Sequence, residues 1–300
     1  MIRGLVRAAA WPFRLDVSPF WNRSWKHRLA RLGLWSLGCY GGALIVLMFL
    51  ESALLYHPTG AGDWFDPPRG LFIEDVELTA ADGTPIHTWW CPPDGWEPSR
   101  GAILYCHGNA GNLSHRGDLA FLWQRELGQA VLMVDYPGYG RSGGKPTEAG
   151  CYASADAAYD WLVADKKVPP EGILLWGGSL GGGVMVDLAS RRPHRAMVLI
   201  STFTSIPDVA QEIFFWAPAR YLVRSRFDSL TKITQCSRPV FVAHYADDSL
   251  VPFPQGERLY SAVCGPKEFF AMHGHDHDEA PAPGFYPALR RFLAAQAPLD

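Results

Sequence analysis

Ser179 stands in Gly177-Gly178-Ser179-Leu180-Gly181, between an apolar run at 173–176 and a helix-compatible run at 184–191. A serine on so tight a strand-to-helix turn has its hydroxyl pushed clear of the backbone. The small residues around it suit a turn with strained angles and close packing of strand on helix. A free hydroxyl is a poor nucleophile at neutral pH, so such a serine needs a base, and the base needs a carboxylate to fix its tautomer. Imidazoles cluster in His273-Gly274-His275-Asp276-His277-Asp278, and adjacent carboxylates stand in His244-Tyr245-Ala246-Asp247-Asp248-Ser249-Leu250-Val251-Pro252. These residues alone leave His275 and His277 as rival bases, and Asp247 and Asp248 as rival acids. Donors for an oxyanion are the backbone N–H of Leu180, at the helix start after the serine, and that of Asn109 in the glycine-rich loop 107–112. The chemistry that uses such a set is acyl transfer.

Competing chemistries lack their patterns. The histidine cluster does not match H-x-H-x-D-H, and H-E-x-x-H is absent from the chain, so no metal is expected. The glycine-rich loop 107–112 carries neither G-x-x-x-x-G-K-[ST] nor G-x-G-x-x-G, so no nucleotide cofactor is expected. A net charge of −3 offers no basic surface for nucleic acid. The six cysteines form no C-x-x-C pair; Cys39 and Cys106 fall in apolar runs and read as small packed hydrophobes.

The elements that must position these groups follow from periodicity. Residues 72–80 alternate as a strand, Asp82-Gly83 is a hairpin signal, and 86–91 returns. Apolar strand-like runs at 102–106, 131–135, 173–176, 197–201, 240–243 and 269–272 then alternate with helical stretches near 115–127, 148–164, 180–191, 255–263 and 285–295. This order predicts an α/β fold, a mainly parallel sheet with helices on both faces. In such sheets functional groups gather beyond the carboxyl ends of the strands. Asn109, Ser179, the aspartate pair and the histidine cluster each follow such a run, in the chain order Ser, Asp, His. Between Phe203 and the next core strand, an insertion at about 203–235 carries Ile213, Phe214, Phe215, Trp216, Tyr221 and Leu222, interrupted by Pro207 and Pro218. It is expected to form a short helical cap over the catalytic strand ends, with an apolar surface suited to an acyl chain.

Charge is distributed unevenly. Arg3, Arg7, Arg14, Arg23, Lys26, Arg28 and Arg31 crowd the first 31 residues against one acid, Asp16, and residues 32–50 then carry no Asp, Glu, Lys, Arg or His. Nineteen such residues are about the length that crosses roughly 30 Å of hydrocarbon as a helix. Trp21, Trp25, Trp35 and Tyr56 suit its interfaces. A cleavable signal peptide would have a shorter apolar region and a small-x-small site, which Glu51-Ser52-Ala53-Leu54 does not offer. The predicted organisation is a basic segment at 1–31, a single transmembrane anchor at 32–55, a Pro/Gly-rich linker at 56–70 and a globular domain at 71–300. The positive-inside rule keeps the basic segment cytoplasmic and puts the domain across the membrane, periplasmic in a bacterium.

His107-Gly108-Asn109-Ala110-Gly111-Asn112, Asp135-Tyr136-Pro137-Gly138-Tyr139-Gly140-Arg141-Ser142, the Ser179 pentapeptide, Ser201-Thr202-Phe203-Thr204-Ser205 and the 248–252 segment stand in the order seen in alpha/beta-hydrolases. Over about residues 54–297 the chain resembles the membrane-anchored serine hydrolases with esterase-like and protein depalmitoylase-like members. The resemblance implies Ser179 as nucleophile, Asp248 as acid and His277 as base. In the family's tail pattern G-x-D-H-N-D, Asp278 and Glu279 here replace the usual Asn and Asp. It implies a structural role for the 135–142 loop, braced by Arg141, and no cofactor. The implied substrate is a small acyl ester or thioester, with an acylated protein or a lipid as further candidates. A peptidase or amidase on the same residues, and a membrane-tethered binding protein without activity, are the alternatives.

Overall fold

The computed structural model describes residues 24–277 and 280–299. Most of the basic segment, Trp21, Asp278 and Glu279 lie outside the described residues. The chain divides into two units, Met1–Phe49 and Leu50–Asp300.

The described part of the first unit is helical. It belongs to α1, Trp25–Leu55, which starts seven residues before the predicted anchor and ends where predicted. None of the α1 residues is buried, and its 18-residue apolar window has a mean hydropathy of 1.8. A helix apolar all round and uncovered by protein has the character of a candidate membrane span.

In the second unit the early elements are β1 (His57–Pro58), β2 (Glu74–Thr79), β3 (Pro85–Cys91), β4 (Ala102–Cys106), β5 (Ala110–Gly111), α2 (Gly117–Leu127), β6 (Ala130–Val134) and α3 (Glu148–Ala164). After them come β7 (Ile173–Gly178), α4 (Leu180–Ala189), β8 (Ala196–Ile200), α5 (Ile206–Ile213), α6 (Ala219–Leu222) and α7 (Ser229–Ile233). The last four are β9 (Val240–Tyr245), α8 (Phe253–Ala262), β10 (Lys267–Met272) and α9 (Phe285–Gln296). Local signals set many of these bounds. The Thr147 side chain accepts from the Gly150 amide at the start of α3, and Gly128 in the left-handed region closes α2.

Eight strands form one sheet in the order β10-β9-β8-β7-β4-β6-β3-β2. Every pairing is parallel except β2 with β3 and β3 with β6. β4, β6, β7, β8 and β9 are buried along their whole length, as strands covered on both faces must be. Side chains of successive residues point to opposite faces. Leu104 and Cys106 therefore join Ala155, Leu162, Val184 and Leu188 from α3 and α4, whereas Ile103 and Tyr105 join Trp123, Phe285 and Leu289 from α2 and α9.

Two expectations are revised. The stretch read as a linker begins with β1, which pairs in parallel with β5, and Tyr56 is buried. Cys106 is a packed small hydrophobe, but Cys39 is exposed on α1, and all six cysteines are free.

Trp123 is wholly buried, its ring 4.8 Å from that of Tyr105 and 4.7 Å from that of Trp176. Trp123→Ala is expected to cost about 3–5 kcal/mol, seen as a lower urea midpoint at unchanged slope for the detergent-solubilised chain.

Candidate active site

β7 delivers Ser179 to the carboxyl edge of the sheet, and α4 begins at the next residue. Ser179 has φ 48° and ψ −116°, a region that residues with a side chain rarely occupy. Its amide donates to Ile200 O at 2.9 Å, and Thr202 Oγ1 donates to its carbonyl at 2.7 Å. A Cβ on Gly177 would collide with the Gly181 carbonyl, and one on Gly181 with the Cys106 carbonyl. Only glycine at these positions lets β7, α4 and β4 approach closely enough to hold the turn.

Asp248 follows β9 and is buried. Its Oδ1 accepts from the amides of Leu250 at 3.0 Å and Val251 at 2.7 Å. Its Oδ2 lies 2.8 Å from His277 Nδ1, and because the carboxylate is ionised, Nδ1 carries the donated hydrogen. Behind it, buried His244 donates from Nε2 to Val251 O at 2.7 Å and lies 3.5 Å from the same Oδ2. Burial pushes the Asp248 carboxyl up, but hydrogen bonds from His244 and His277, the His277 charge and the Val251 amide outweigh it and hold the group well below the usual carboxylate range. The neighbouring candidates have other surroundings. His275 packs its ring edge-on to Tyr245 at 5.7 Å, and exposed Asp247 makes no hydrogen bond or ion pair with either histidine among the described residues.

Ser179 and His277 line one cavity of about 440 Å³, together with Gly108, Asn109, Ala110, His115, Arg116, Asp118, Leu119 and Ala280. Asn109 is thus on the cavity wall, and Leu180 is the first residue of α4, whose first-turn amides have no partner within the helix. Of the cap residues singled out by their apolarity, Ile213, Phe214, Phe215, Trp216, Tyr221 and Leu222, none is on this wall. A pair of carboxylates holds the end of the insertion. Glu148 at the start of α3 accepts from the amides of Arg226 at 2.6 Å and Phe227 at 2.8 Å, and Glu51 accepts from those of Arg224 and Ser225.

Three sets of residues escaped the sequence reading. Asp276 accepts from Ser249 N at 2.6 Å and Ser249 Oγ at 2.7 Å, which clamps the loop of His277 to the loop of Asp248. His244 showed only its place at the end of an apolar strand. The segment after α1 braces the Asn109 loop: Asn109 Nδ2 donates to Leu55 O at 3.0 Å, and His57 N donates to Asn109 O at 2.9 Å. Asn112 Nδ2 donates to Thr59 Oγ1 and Asp63 O. Its prolines and glycines concealed this, since two-residue strands carry no periodicity.

The 135–142 loop serves the same brace. Tyr136 Oη donates to His107 O at 2.6 Å and Tyr139 Oη to Asn109 O at 2.7 Å. Asp135 is buried away from the cavity wall, accepts from Leu113 N at 2.8 Å and sits between His107 and His87. Burial raises its carboxyl, but those two imidazoles and the amide bring it below the ordinary range. Arg141 lies over Trp64 at 4.2 Å and reaches Asp75 at 3.3 Å.

Residues 101–229 match the sequence profile of the alpha/beta hydrolase fold. The protein Rv2307c of Mycobacterium tuberculosis is 37% identical over 264 residues, covering 85% of this chain and 92% of that one. A zebrafish relative named lysophosphatidylserine lipase ABHD12 is 32% identical, covering 71% of this chain and 57% of its own. Among solved structures, an acetyl xylan esterase from Paenibacillus sp. R4 superposes with a TM-score of 0.64 at 23% identity, over 77% of this chain and 86% of the esterase, a likeness of fold.

The lowered Asp248 carboxyl has a consequence for stability. An unfolded aspartate titrates near about 3.9, so ionised Asp248 contributes stability that is present above that pH and is lost as pH falls through the lower folded value. Asp248→Asn should therefore lose stability less steeply than the parent chain on acidification below about pH 4. Thermal melting across that range measures it, and equal slopes would count against the buried, ionised carboxylate.

Proposed function

The chain belongs to the alpha/beta-hydrolase family, and from that premise we propose that it is a membrane-anchored serine hydrolase that cleaves carboxylic ester or thioester bonds through an acyl-enzyme. The observation that carries this reading is the shared cavity: Ser179, on its strained turn, and His277, paired to a buried Asp248, both open onto it. Ser179 Oγ attacks the acyl carbonyl while His277 Nε2 takes its proton, and Asp248 stabilises the imidazolium through Nδ1. The oxyanion of the tetrahedral intermediate is held by the N–H groups of Asn109 and Leu180, an interaction worth on the order of 3 kcal/mol of barrier per donor. Collapse expels the alcohol or thiol, which leaves with the proton from His277. Water, deprotonated by the same imidazole, then attacks the acyl-serine and releases the carboxylic acid and the free serine.

A relative named as a lysophosphatidylserine lipase supports placing an acyl ester in the substrate class, lipids included. The membrane part of the reading rests on α1, apolar all round and long enough to span. The basic residues that precede the apolar run favour a cytoplasmic amino terminus and a catalytic unit on the far side.

Ser179→Ala is expected to lower turnover of a short-chain p-nitrophenyl ester by about 10⁴-fold or more and to abolish fluorophosphonate labelling, with circular dichroism unchanged. Undiminished turnover in that variant sinks the assignment. His277→Ala should be impaired to a similar extent, whereas His275→Ala should keep most of the activity. Labelling of intact cells by a membrane-impermeant fluorophosphonate is expected to match labelling by a permeant one; protection from the impermeant probe would reverse the topology.

A further inference from the structure

The catalytic unit is tied at two points to the last turn of the helix that enters the apolar run. Leu50 closes that run, and Glu51 is the first charged residue after it, so in a chain anchored by α1 the Glu51 carboxylate marks the edge of the hydrocarbon. Arg224 N donates to both Glu51 oxygens, at 3.0 and 3.1 Å, and Ser225 N donates to Oε1 at 2.7 Å. The backbone that leaves the cap therefore lies at the depth of Glu51. Just upstream, Phe215 is 82% exposed and Tyr221 85% exposed, with Ile213 and Trp216 about half exposed. Aromatic side chains with an apolar body are the chemistry of a membrane interface.

The flanking charges agree. Arg220, Arg224 and Arg226 stand within six residues of Tyr221, where headgroup phosphates would lie. Arg220 also pairs with Asp208 at 2.9 Å, and Glu212 is the other acid of this segment, apart from Asp228 at its end.

The second tie is at the cavity. Asn109, on its wall, donates to Leu55 O, four residues past Glu51. Four residues of helix rise about 6 Å, and each headgroup layer is roughly 5–7 Å thick. The Asn109 side of the cavity thus lies within headgroup depth.

We infer that the cap face formed by Ile213, Phe215, Trp216 and Tyr221 rests in the interface of the phospholipid bilayer that α1 enters, so that an acyl ester reaches Ser179 from the bilayer without crossing bulk water. This rests on the reading of α1 as an anchor and of Ser179 as the nucleophile. The cap face is a docking surface off the cavity wall, and the aromatic residues bind lipid rather than the reacting carbonyl.

The test uses the full chain in phosphatidylcholine vesicles containing phosphatidylglycerol. In a background with the two exposed cysteines, Cys39 and Cys264, replaced by serine, Phe215→Cys carries an environment-sensitive fluorophore. Glu97→Cys, exposed before the amino end of β4 and so at the sheet edge opposite Ser179, is the control. The label at 215 is expected to shift to the blue and to be quenched by lipids bearing a shallow nitroxide, and the label at 97 to be unaffected. Equal, water-like emission at both positions, in protein that still resists carbonate extraction, overturns the inference while leaving the anchor intact. A blue-shifted label at 215 that lipid nitroxides do not quench assigns the face to a protein partner or a second copy, and also overturns it. Loss of the protein to carbonate marks failure of the anchor reading itself, and with it of the inference. As a functional arm, the double variant Phe215→Glu, Tyr221→Glu should lower hydrolysis of a vesicle-embedded long-chain monoacyl ester by about tenfold and leave hydrolysis of soluble p-nitrophenyl acetate unchanged. An equal loss on both substrates would overturn it, and no hydrolysis of either by the parent chain would instead defeat the proposed function.

Discussion

A serine held at φ 48° is the constraint around which the rest of the molecule is arranged. Such a backbone conformation costs of order 1–3 kcal/mol and persists only where its surroundings leave it no alternative. Here the surroundings are the close approach of β4, β7 and α4 across Gly177 and Gly181, and hydrogen bonds from and to the neighbouring strand end at Ile200 and Thr202. The packed sheet supplies that rigidity. Its central strands are buried from end to end, with one apolar layer on each face.

Two aspartates are buried at the carboxyl ends of these strands, and each stands between two histidines. Asp135 has His107 and His87; Asp248 has His244 and His277. Both carboxyls are held in the ionised form by the same physical means, imidazole contacts and backbone amides that overcome desolvation. What separates them is where the second imidazole opens. His87 and His107 are enclosed, and their aspartate fixes the loop of Asn109 through Leu113; His277 opens onto the cavity that Ser179 shares. A buried charge with two partners can thus be a brace or part of a reactive set, depending on whether one partner reaches the cavity.

The loop of Asn109 is braced from several sides. Tyr136, Tyr139, β1 and the carbonyl of Leu55 all bond to it, and each contact lies between elements distant in the chain. Oxyanion donors act only if they are already in place when charge develops, so rigidity here is a requirement of the proposed chemistry. The same bonds connect the wall of the cavity to Leu55, the last residue of α1.

Much of this was written in local pattern. The apolar runs and their alternation placed α3 at 148–164 and β4 at 102–106 as observed, because side-chain periodicity and caps such as Thr147 act over a few residues. The candidate groups could be named from sequence because in a parallel sheet they must follow strands. Their pairing could not. His275 and His277, like Asp247 and Asp248, sit in the same loops, and which one faces the other is set by the clamp of Asp276 on Ser249, 27 residues apart in the chain. The brace from Leu55 to Asn109 spans 54 residues and the cap's tie to Glu51 more than 170. Sequence alone determined which side chains were available and roughly where each element began. Only the tertiary structure decided which of them meet, because single hydrogen bonds between distant loops leave no periodic trace along the chain.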